Sequence, residues 1–356
     1  MKLFTIGPVD MLPEIKKIAG EQIPYFRTDE FSQMMLDSDC LLKKFMNADN
    51  CKSIYLTASG TAAMEATLMN CLRPNDNVLI INGGTFGKRF CEICDIHKYN
   101  YMSINLNIDE QLTRQHLESF EKYNFSALIV NIHETSTGQL YNIELLSEFC
   151  KKKNIFLIVD AISSFLCDPY DMNKYNIDAT IISSQKGLCI APGLSIIVLS
   201  ERILRERVNN NNIRSLYFDF KEYINNFERG QTPFTPCVGI CLEMNKALKI
   251  IEDTGLQSYL NNIKNIALDF RNRIKSLPVQ LPTFQLSNAI TPIIFHKPIA
   301  MAVFQKLKDD YQIIVNPTGG KYSDYILRIS HIGATTIEDN KNLVNALKKI
   351  ISHLDI

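Results

Sequence analysis

A lysine stands where an apolar run gives way to a loop containing glycine and proline, in the segment ATIISSQKGLCIAPG (179–193). Lys186 in that segment either extends into solvent or does chemistry from the end of a strand. Asp160 ends another apolar run, IFLIVD, one strand–helix–strand step earlier. A carboxylate at the end of a buried strand needs a partner, because desolvating it alone is costly. Asp160 is therefore either a structural cap or ion-pair partner, or the anchor of a buried cation.

A third group of residues lies in TASGTAA (57–63), at a predicted strand-to-helix junction. Ser59, Gly60 and Thr61 are small or hydroxylated, which suits phosphate binding at the positive end of a helix, although the same residues also suit a simple N-cap. Phosphate loop, aspartate and lysine together describe one ligand, pyridoxal 5′-phosphate. In that interpretation Lys186 forms a Schiff base with the aldehyde, and Asp160 keeps the ring nitrogen protonated.

Other cofactor motifs are absent or incomplete. No GxGxxG follows a predicted strand, and NGGTFGKRF (82–90) has Asn82 and Arg89 where a phosphate loop needs glycine and Ser or Thr. Cys91, Cys94 and His97 share one face of a predicted helix, but no second ligand pair follows at a spacing typical of zinc sites. A half-buried helix face is the favoured interpretation, and we expect no metal in the site.

The elements that must position these residues alternate between strand and helix. Between residues 53 and 200, nearly continuous apolar strands are separated by helical patterns, which indicates a mostly parallel sheet covered on both faces. From about residue 281 shorter strands and helices follow. We therefore expect an α/β protein with a large domain and its N-terminal segment over residues 1–250, and a smaller α+β domain over residues 251–356.

Composition narrows the cellular context. The chain has 356 residues, of which 38 are basic and 38 acidic, so no general attraction to nucleic acid or to anionic membranes is expected. The ten cysteines show no compact spacing framework and suit reduced thiols. With no signal peptide at the start and no apolar stretch long enough to span a bilayer, the expected location is the cytoplasm.

Eight segments, in order, resemble the class V, fold-type I aminotransferases that depend on pyridoxal phosphate, in particular the group of alanine–glyoxylate (serine–pyruvate) and 2-aminoethylphosphonate–pyruvate aminotransferases. They are GPVDMLPEI, TASGTAAMEATL, NGGTFGKRF, HETSTGQL, VDAISSF, SSQKGLCIAPG, TPFTPCVG and LRISHIG. The resemblance runs through most of the chain and implies the fold-type I architecture. It also implies that Lys186 and Asp160 are the catalytic residues.

The same resemblance implies how the cofactor is bound. Ser59, Gly60 and Thr61 match the phosphate loop, and Gln185 adds a phosphate contact. Phe86 matches the aromatic residue that stacks on the pyridine ring, and Ile162 matches the apolar residue that packs against its opposite face. Thr135 matches the hydroxyl that bonds the phenolic oxygen of the cofactor. Thr232 and Thr235 match the segment by which a neighbouring subunit completes the phosphate site.

Substrate contacts are implied at Arg328, which matches the arginine that holds a carboxylate, and at Gly7. A segment shared between subunits implies a homodimer. The expected reaction moves an amino group from 2-aminoethylphosphonate, alanine or serine to a 2-oxo acid such as pyruvate or glyoxylate. Two alternatives stay open: a class V lyase of the cysteine desulfurase type, although Gln185 and Phe86 stand where those enzymes usually have histidine, and a non-catalytic binding subunit with this fold.

Overall fold

The computed structural model describes residues 1–354, which form fourteen strands and twelve α-helices. The strands are β1 (Lys2–Phe4), β2 (Lys52–Leu56), β3 (Asn77–Asn82), β4 (Asn100–Asn105), β5 (Ala127–Asn131), β6 (His133–Glu134), β7 (Gln139–Leu140), β8 (Phe156–Asp160), β9 (Ala179–Ser183), β10 (Ser195–Leu199), β11 (Val279–Gln280), β12 (Ile290–Phe295), β13 (Ile313–Pro317) and β14 (Ile326–Ser330). The helices are α1 (Pro13–Ile18), α2 (Asp29–Phe45), α3 (Gly60–Cys71), α4 (Thr85–His97), α5 (Arg114–Glu118), α6 (Ile143–Lys153), α7 (Glu201–Glu206), α8 (Phe220–Phe227), α9 (Val238–Thr254), α10 (Leu256–Arg273), α11 (Ala300–Tyr311) and α12 (Ile337–His353).

The larger sheet has seven strands in the order β2-β10-β9-β8-β5-β3-β4. Only β10 runs antiparallel to its neighbours. Every residue of β5, β8 and β9 is buried, because α2, α6 and α9 cover one face while α3, α4 and α8 cover the other. These continuous apolar strands are typical of a sheet covered on both sides. The predicted α/β class is confirmed.

The parallel strands deliver their carboxyl ends to one edge of this sheet. Strands β2, β3, β5, β8 and β9 end at residues 56, 82, 131, 160 and 183, and each is followed by a segment that was singled out in the sequence. In α/β proteins ligands bind along this edge. The fold therefore gathers segments that are far apart in sequence.

A second sheet has five strands in the order β1-β13-β14-β12-β11. Its core is formed mainly by α10, α11 and α12. Strand β1 pairs in parallel with β13, with Lys2 opposite Ile313, so the amino terminus contributes to a sheet built otherwise from the last third of the chain. The division into residues 1–250 and 251–356 remains a prediction.

Among the helices formed by residues 1–354, none combines the length and the apolar character needed to cross a membrane.

Candidate functional site

Lys186 lies in the loop that joins β9 to β10, with a half-buried side chain. Its pKa is lowered to about 8, mainly by burial and also by the positive charge of Arg328, while the negative charge of Asp160 acts in the opposite direction. Gly7 lies against this lysine: a Cβ at position 7 would be 2.7 Å from both the Lys186 Cδ and the Gln185 carbonyl oxygen. Glycine at position 7 thus leaves room for the aliphatic part of the Lys186 side chain, whose amine has a pKa suited to exchanging protons near neutrality.

Asp160 is the last residue of β8 and only 5% of its surface is exposed. Its Oδ1 accepts a hydrogen bond of 2.8 Å from the Ile162 amide. Burial raises the pKa of this carboxyl to about 7; the Ile162 bond and the charge of Lys186 act in the opposite direction. A buried cation at the carboxylate would favour its ionised form.

The amino terminus of α3 faces the same edge. Ser59 is its N-cap, but the hydroxyl makes no capping bond. The first amide to bond inside the helix is that of Ala63, to the Ser59 carbonyl at 3.2 Å, which leaves the amides of residues 60–62 for an external partner. A Cβ on Gly60 would lie 2.7 Å from Ile162 Cδ1, so glycine allows Ile162 to pack against the loop.

Gln185 is partly ordered by its neighbour. Its Oε1 accepts from the Ser183 hydroxyl at 2.7 Å, which orients the amide nitrogen as the remaining donor.

Phe86 stands in the first turn of α4, and its position depends on a buried glutamate. Glu134 is fully buried, and its Oε2 accepts from the amides of Phe86 (3.1 Å) and Gly87 (3.2 Å) and from Asn131 Nδ2 (2.9 Å). Its Oε1 accepts from the Ser136 amide and hydroxyl at 3.1 and 2.5 Å. Sequence reasoning assigned Glu134 no role, although HETSTGQL was noted; its partners from α4 lie far away in sequence and no local pattern reveals them.

Arg89, also unassigned from the sequence, ties Phe86 to the phosphate loop. Its guanidinium carbon lies 5.1 Å from the centre of the Phe86 ring, and Nη1 donates to the Thr61 hydroxyl at 3.1 Å. Cation–π contact and hydrogen bond together fix the aromatic ring against α3. The sequence did offer one signal: Arg89 follows Phe86 by three residues, a spacing that puts both side chains on the same face of a helix.

Arg328 reaches from β14 of the second sheet to the edge of the first. Its Nη1 donates to the Thr135 carbonyl at 2.8 Å and its Nη2 to the Pro317 carbonyl at 2.7 Å, while Nε is buried without a protein partner. Burial lowers its pKa, which Glu134 counteracts, and arginine stays charged in proteins. The arginine lines a cleft of about 600 Å³, together with Phe86 and Thr318.

Thr232 and Thr235 lie in the segment that precedes α9. The Thr232 hydroxyl donates to the Phe234 carbonyl of its own chain at 2.6 Å, whereas Thr235 is exposed. The segment is held near the phosphate loop because the Cys237 amide donates to the Thr57 hydroxyl at 3.0 Å. Of the two threonines, Thr235 is therefore the one whose hydroxyl is available to another molecule.

The helix-face cysteines lie apart from this site. Cys91 and Cys94 are buried in α4, and His97 Nε2 lies 2.8 Å from a Glu65 carboxylate oxygen. Within residues 1–354 no group of three or more His, Cys, Asp or Glu side chains could hold a metal ion.

The residues present fit pyridoxal phosphate. Unpaired amides and the free Ser59 hydroxyl suit a phosphate, and the desolvated Asp160 carboxyl suits a protonated ring nitrogen. Gly7 and Gly60 leave space that any Cβ would fill. The Nε of Arg328 is buried without a hydrogen-bond partner from the protein, which indicates a donor that a bound ligand would satisfy.

Comparison with known proteins shows the family to which the chain belongs. The family described as "Aminotransferase class-V" matches residues 25–340. An uncharacterised aminotransferase of Methanocaldococcus jannaschii is 28% identical over 93% of this chain and 88% of its own length. The alanine–glyoxylate aminotransferase of Oryctolagus cuniculus is 24% identical over 99% and 92%. The crystal structure of alanine–glyoxylate aminotransferase from Nostoc sp. superposes with a TM-score of 0.91 at 23% identity, covering 98% of this chain and 94% of that one.

Proposed function

The chain belongs to the class V aminotransferases and is a transaminase that depends on pyridoxal phosphate, and from this premise we propose that it transfers the amino group of alanine, serine or 2-aminoethylphosphonate to a 2-oxo acid such as pyruvate or glyoxylate. The observation that carries the proposal is the meeting of three ionisable side chains at one sheet edge: Asp160 at the end of β8, Lys186 in the loop after β9, and Arg328, which reaches over from β14 to the Thr135 carbonyl. The charges of Asp160 and Arg328 both shift the pKa of Lys186, in opposite directions. An amine, an anion and a carboxylate receptor therefore lie within reach of one another.

The residues that hold the cofactor divide by chemistry. The amides after Ser59, the Ser59 hydroxyl and the Gln185 amide nitrogen would bind the phosphate, while Lys186 would carry the cofactor covalently. Phe86 and Ile162 would enclose the ring, Thr135 would donate to its phenolic oxygen, and Asp160 would hold the ring nitrogen protonated.

When bound, pyridoxal phosphate supplies an electron sink for negative charge that develops at the substrate carbon. The Lys186 amine, when it is not bonded to the cofactor, would accept the proton released from that carbon and later return it, since a pKa of about 8 allows both roles. Arg328 orients the substrate by its carboxylate or phosphonate. Its guanidinium is already braced by the Thr135 and Pro317 carbonyls, so little freedom is lost when substrate binds.

Two competing functions receive less support. A desulfurase needs a nucleophilic cysteine on an exposed loop. In the part of the chain that the structure describes, the exposed thiol is Cys40, which lies on helix α2. Two thiols are half-buried: burial raises the pKa of Cys51 to about 11, whereas the hydrogen bond with Cys241 lowers the pKa of Cys237, which caps the start of α9 and is not on an exposed loop. A non-catalytic binding subunit would not need Lys186, Asp160 and Arg328 together.

We further propose a cytoplasmic homodimer in which the exposed Thr235 completes the phosphate site of the neighbouring subunit. Size-exclusion chromatography with light scattering tests the dimer. Mixing a Lys186→Ala chain with a Thr235→Ala chain tests whether sites are shared, because mixed dimers would then regain one complete site.

The decisive experiment for the function is Lys186→Ala, with Lys152→Ala on the exposed surface of α6 as the matched control. We expect the wild-type protein with pyridoxal phosphate to show an absorbance band that an amino donor bleaches and a 2-oxo acid restores. Lys186→Ala should lose turnover and the covalent band while keeping its far-UV circular dichroism. Wild-type turnover in Lys186→Ala would contradict the assignment, and screening donors against pyruvate and glyoxylate identifies the pair used.

A further inference from the structure

The cleft at Arg328 continues into a second cavity of about 500 Å³, the annex. The two cavities share the five wall residues Ile108, Ser136, Thr137, Lys321 and Tyr322. The annex is walled mainly by apolar side chains, namely Pro282, Phe284, Pro292, Ile294, Tyr325 and Ile326. Its volume is typical of a small-molecule site.

The register of the second sheet relates the annex to Arg328. In the antiparallel pair β12–β14, Pro292 lies opposite Arg328 and Ile294 lies opposite Ile326. Residues two apart on a strand share a face, so the isoleucine pair lies on the same face as Arg328, about 7 Å further along the strands. The carboxylate receptor and the apolar surface are thus neighbouring rows of one sheet face.

This spacing selects for substrate length. The Arg328 row and the isoleucine row are about 7 Å apart, a distance that an extended chain spans with about six bonds because each bond advances it by about 1.2 Å. The methyl group of an alanine held by its carboxylate at Arg328 cannot reach the isoleucine row, whereas an aromatic ring or a long aliphatic chain can. Ile294 is only half-buried and Tyr325 is 39% exposed, so the annex offers accessible apolar surface to such a group.

We propose that the annex is a subsite for the side chain of a larger amino donor, a 2-amino acid with an aromatic or long apolar side chain, used in addition to the small donors. This inference rests on the proposed transaminase function and on Arg328 as its carboxylate receptor. Serine and alanine occupy only the cleft, and an aromatic donor occupies cleft and annex together.

The test compares L-phenylalanine and L-alanine as donors in the holoenzyme, with glyoxylate as acceptor. We expect kcat/KM of the wild type to be at least about tenfold higher for phenylalanine. Ile294→Trp, which fills the annex, should lower kcat/KM for phenylalanine at least about tenfold and leave alanine within about twofold. Ile294→Thr is a milder second variant that should lower phenylalanine use by a smaller factor. Met301→Trp, on the exposed side of α11, is the matched control.

A binding measurement gives a readout that needs no turnover. By calorimetry, 3-phenylpropionate should bind the holoenzyme at least about tenfold more tightly than propionate, and Ile294→Trp should abolish the difference. Equal use of both donors by the wild type, or an equal loss for both donors in Ile294→Trp, would overturn the annex proposal. Turnover of alanine in the same assay would still support the proposed transaminase function. Absence of turnover with every donor would instead overturn the proposed function, and the annex proposal with it.

Discussion

Replacing Glu134 with glutamine tests the claim that one buried carboxylate positions Phe86. The glutamine oxygen can take over the three donors at Oε2, the amides of Phe86 and Gly87 and the Asn131 side chain. Its NH₂ group then faces the Ser136 amide and hydroxyl. The hydroxyl can turn and accept, but the Ser136 amide is left unpaired.

The magnitude follows from these bonds. Leaving the Ser136 amide unpaired costs about 1–3 kcal/mol, and loss of charge assistance in three bonds costs about 1 kcal/mol each. Relief from burying the Glu134 charge offsets part of this sum. We expect the free energy of unfolding to fall by about 2–4 kcal/mol.

A second readout distinguishes positioning from general stability. The negative charge of Glu134 raises the pKa of the Asp160 carboxyl, so Glu134→Gln should lower that pKa. The acid limb of pyridoxal phosphate binding should therefore move to lower pH.

Urea unfolding and cofactor titration between pH 5 and 9 measure both effects. The control is Glu92→Gln, an exposed glutamate on the same helix α4 paired with Lys88 at 3.5 Å, where less than about 1 kcal/mol should change. If Glu134→Gln unfolds like Glu92→Gln and binds cofactor with an unchanged pH profile, the positioning role is refuted.

Three further substitutions probe the site. Burial raises the pKa of Asp160 to about 7, so the cofactor-free folded chain holds a proton that the unfolded chain releases, and the Asp160 contribution to the free energy of unfolding should fall by up to about 4 kcal/mol as pH rises from about 4 to 7. Asp168, whose pKa burial raises to about 6, acts in the same direction, whereas the buried His133 and His331, whose pKa burial lowers, act in the opposite one. The difference in urea unfolding between the wild type and Asp160→Asn therefore isolates Asp160, and a difference that stays constant with pH would contradict the burial argument. Arg328→Lys should lower kcat/KM for carboxylate donors by about ten- to a hundredfold with little change in cofactor affinity, whereas equal losses of both would make Arg328 a structural residue. Gly7→Ala places a methyl group 2.7 Å from Lys186 Cδ at a backbone φ of +148°, so cofactor affinity should fall about tenfold or more. The control is Gly319→Ala, where the added methyl group meets no atom within 4 Å and cofactor affinity should not change.

Much of this arrangement could be predicted from the sequence because the relevant signals are local. Continuous apolar runs mark β5, β8 and β9, and the residue that follows or ends such a run is placed at the sheet edge by the parallel topology alone. Asp160 and Lys186 were therefore predictable as neighbours. The order of eight segments added the family and the cofactor.

The parts that could not be predicted depend on contacts distant in sequence. Glu134 bonds to amides on α4 that carry no side-chain signal, and Arg89 acts through a ring and a hydroxyl on different helices. Strand β1 is three residues long and belongs to a sheet whose other strands begin at residue 279. A segment that short has no periodicity to recognise.

The segment 134–136 explains why these distant contacts matter together. Glu134 holds the amides at the start of α4 and so places Phe86, the proposed wall of the cofactor ring. The next carbonyl, that of Thr135, accepts from Arg328, the proposed carboxylate receptor, and Ser136 lines both the cleft and the annex. On the proposed assignments, three consecutive residues therefore join the wall of the cofactor ring to the receptor for the substrate carboxylate. Since reactivity depends steeply on the distance between reacting groups, we expect the loop anchored by the buried Glu134 carboxylate to control how Lys186 is placed relative to the substrate carbon.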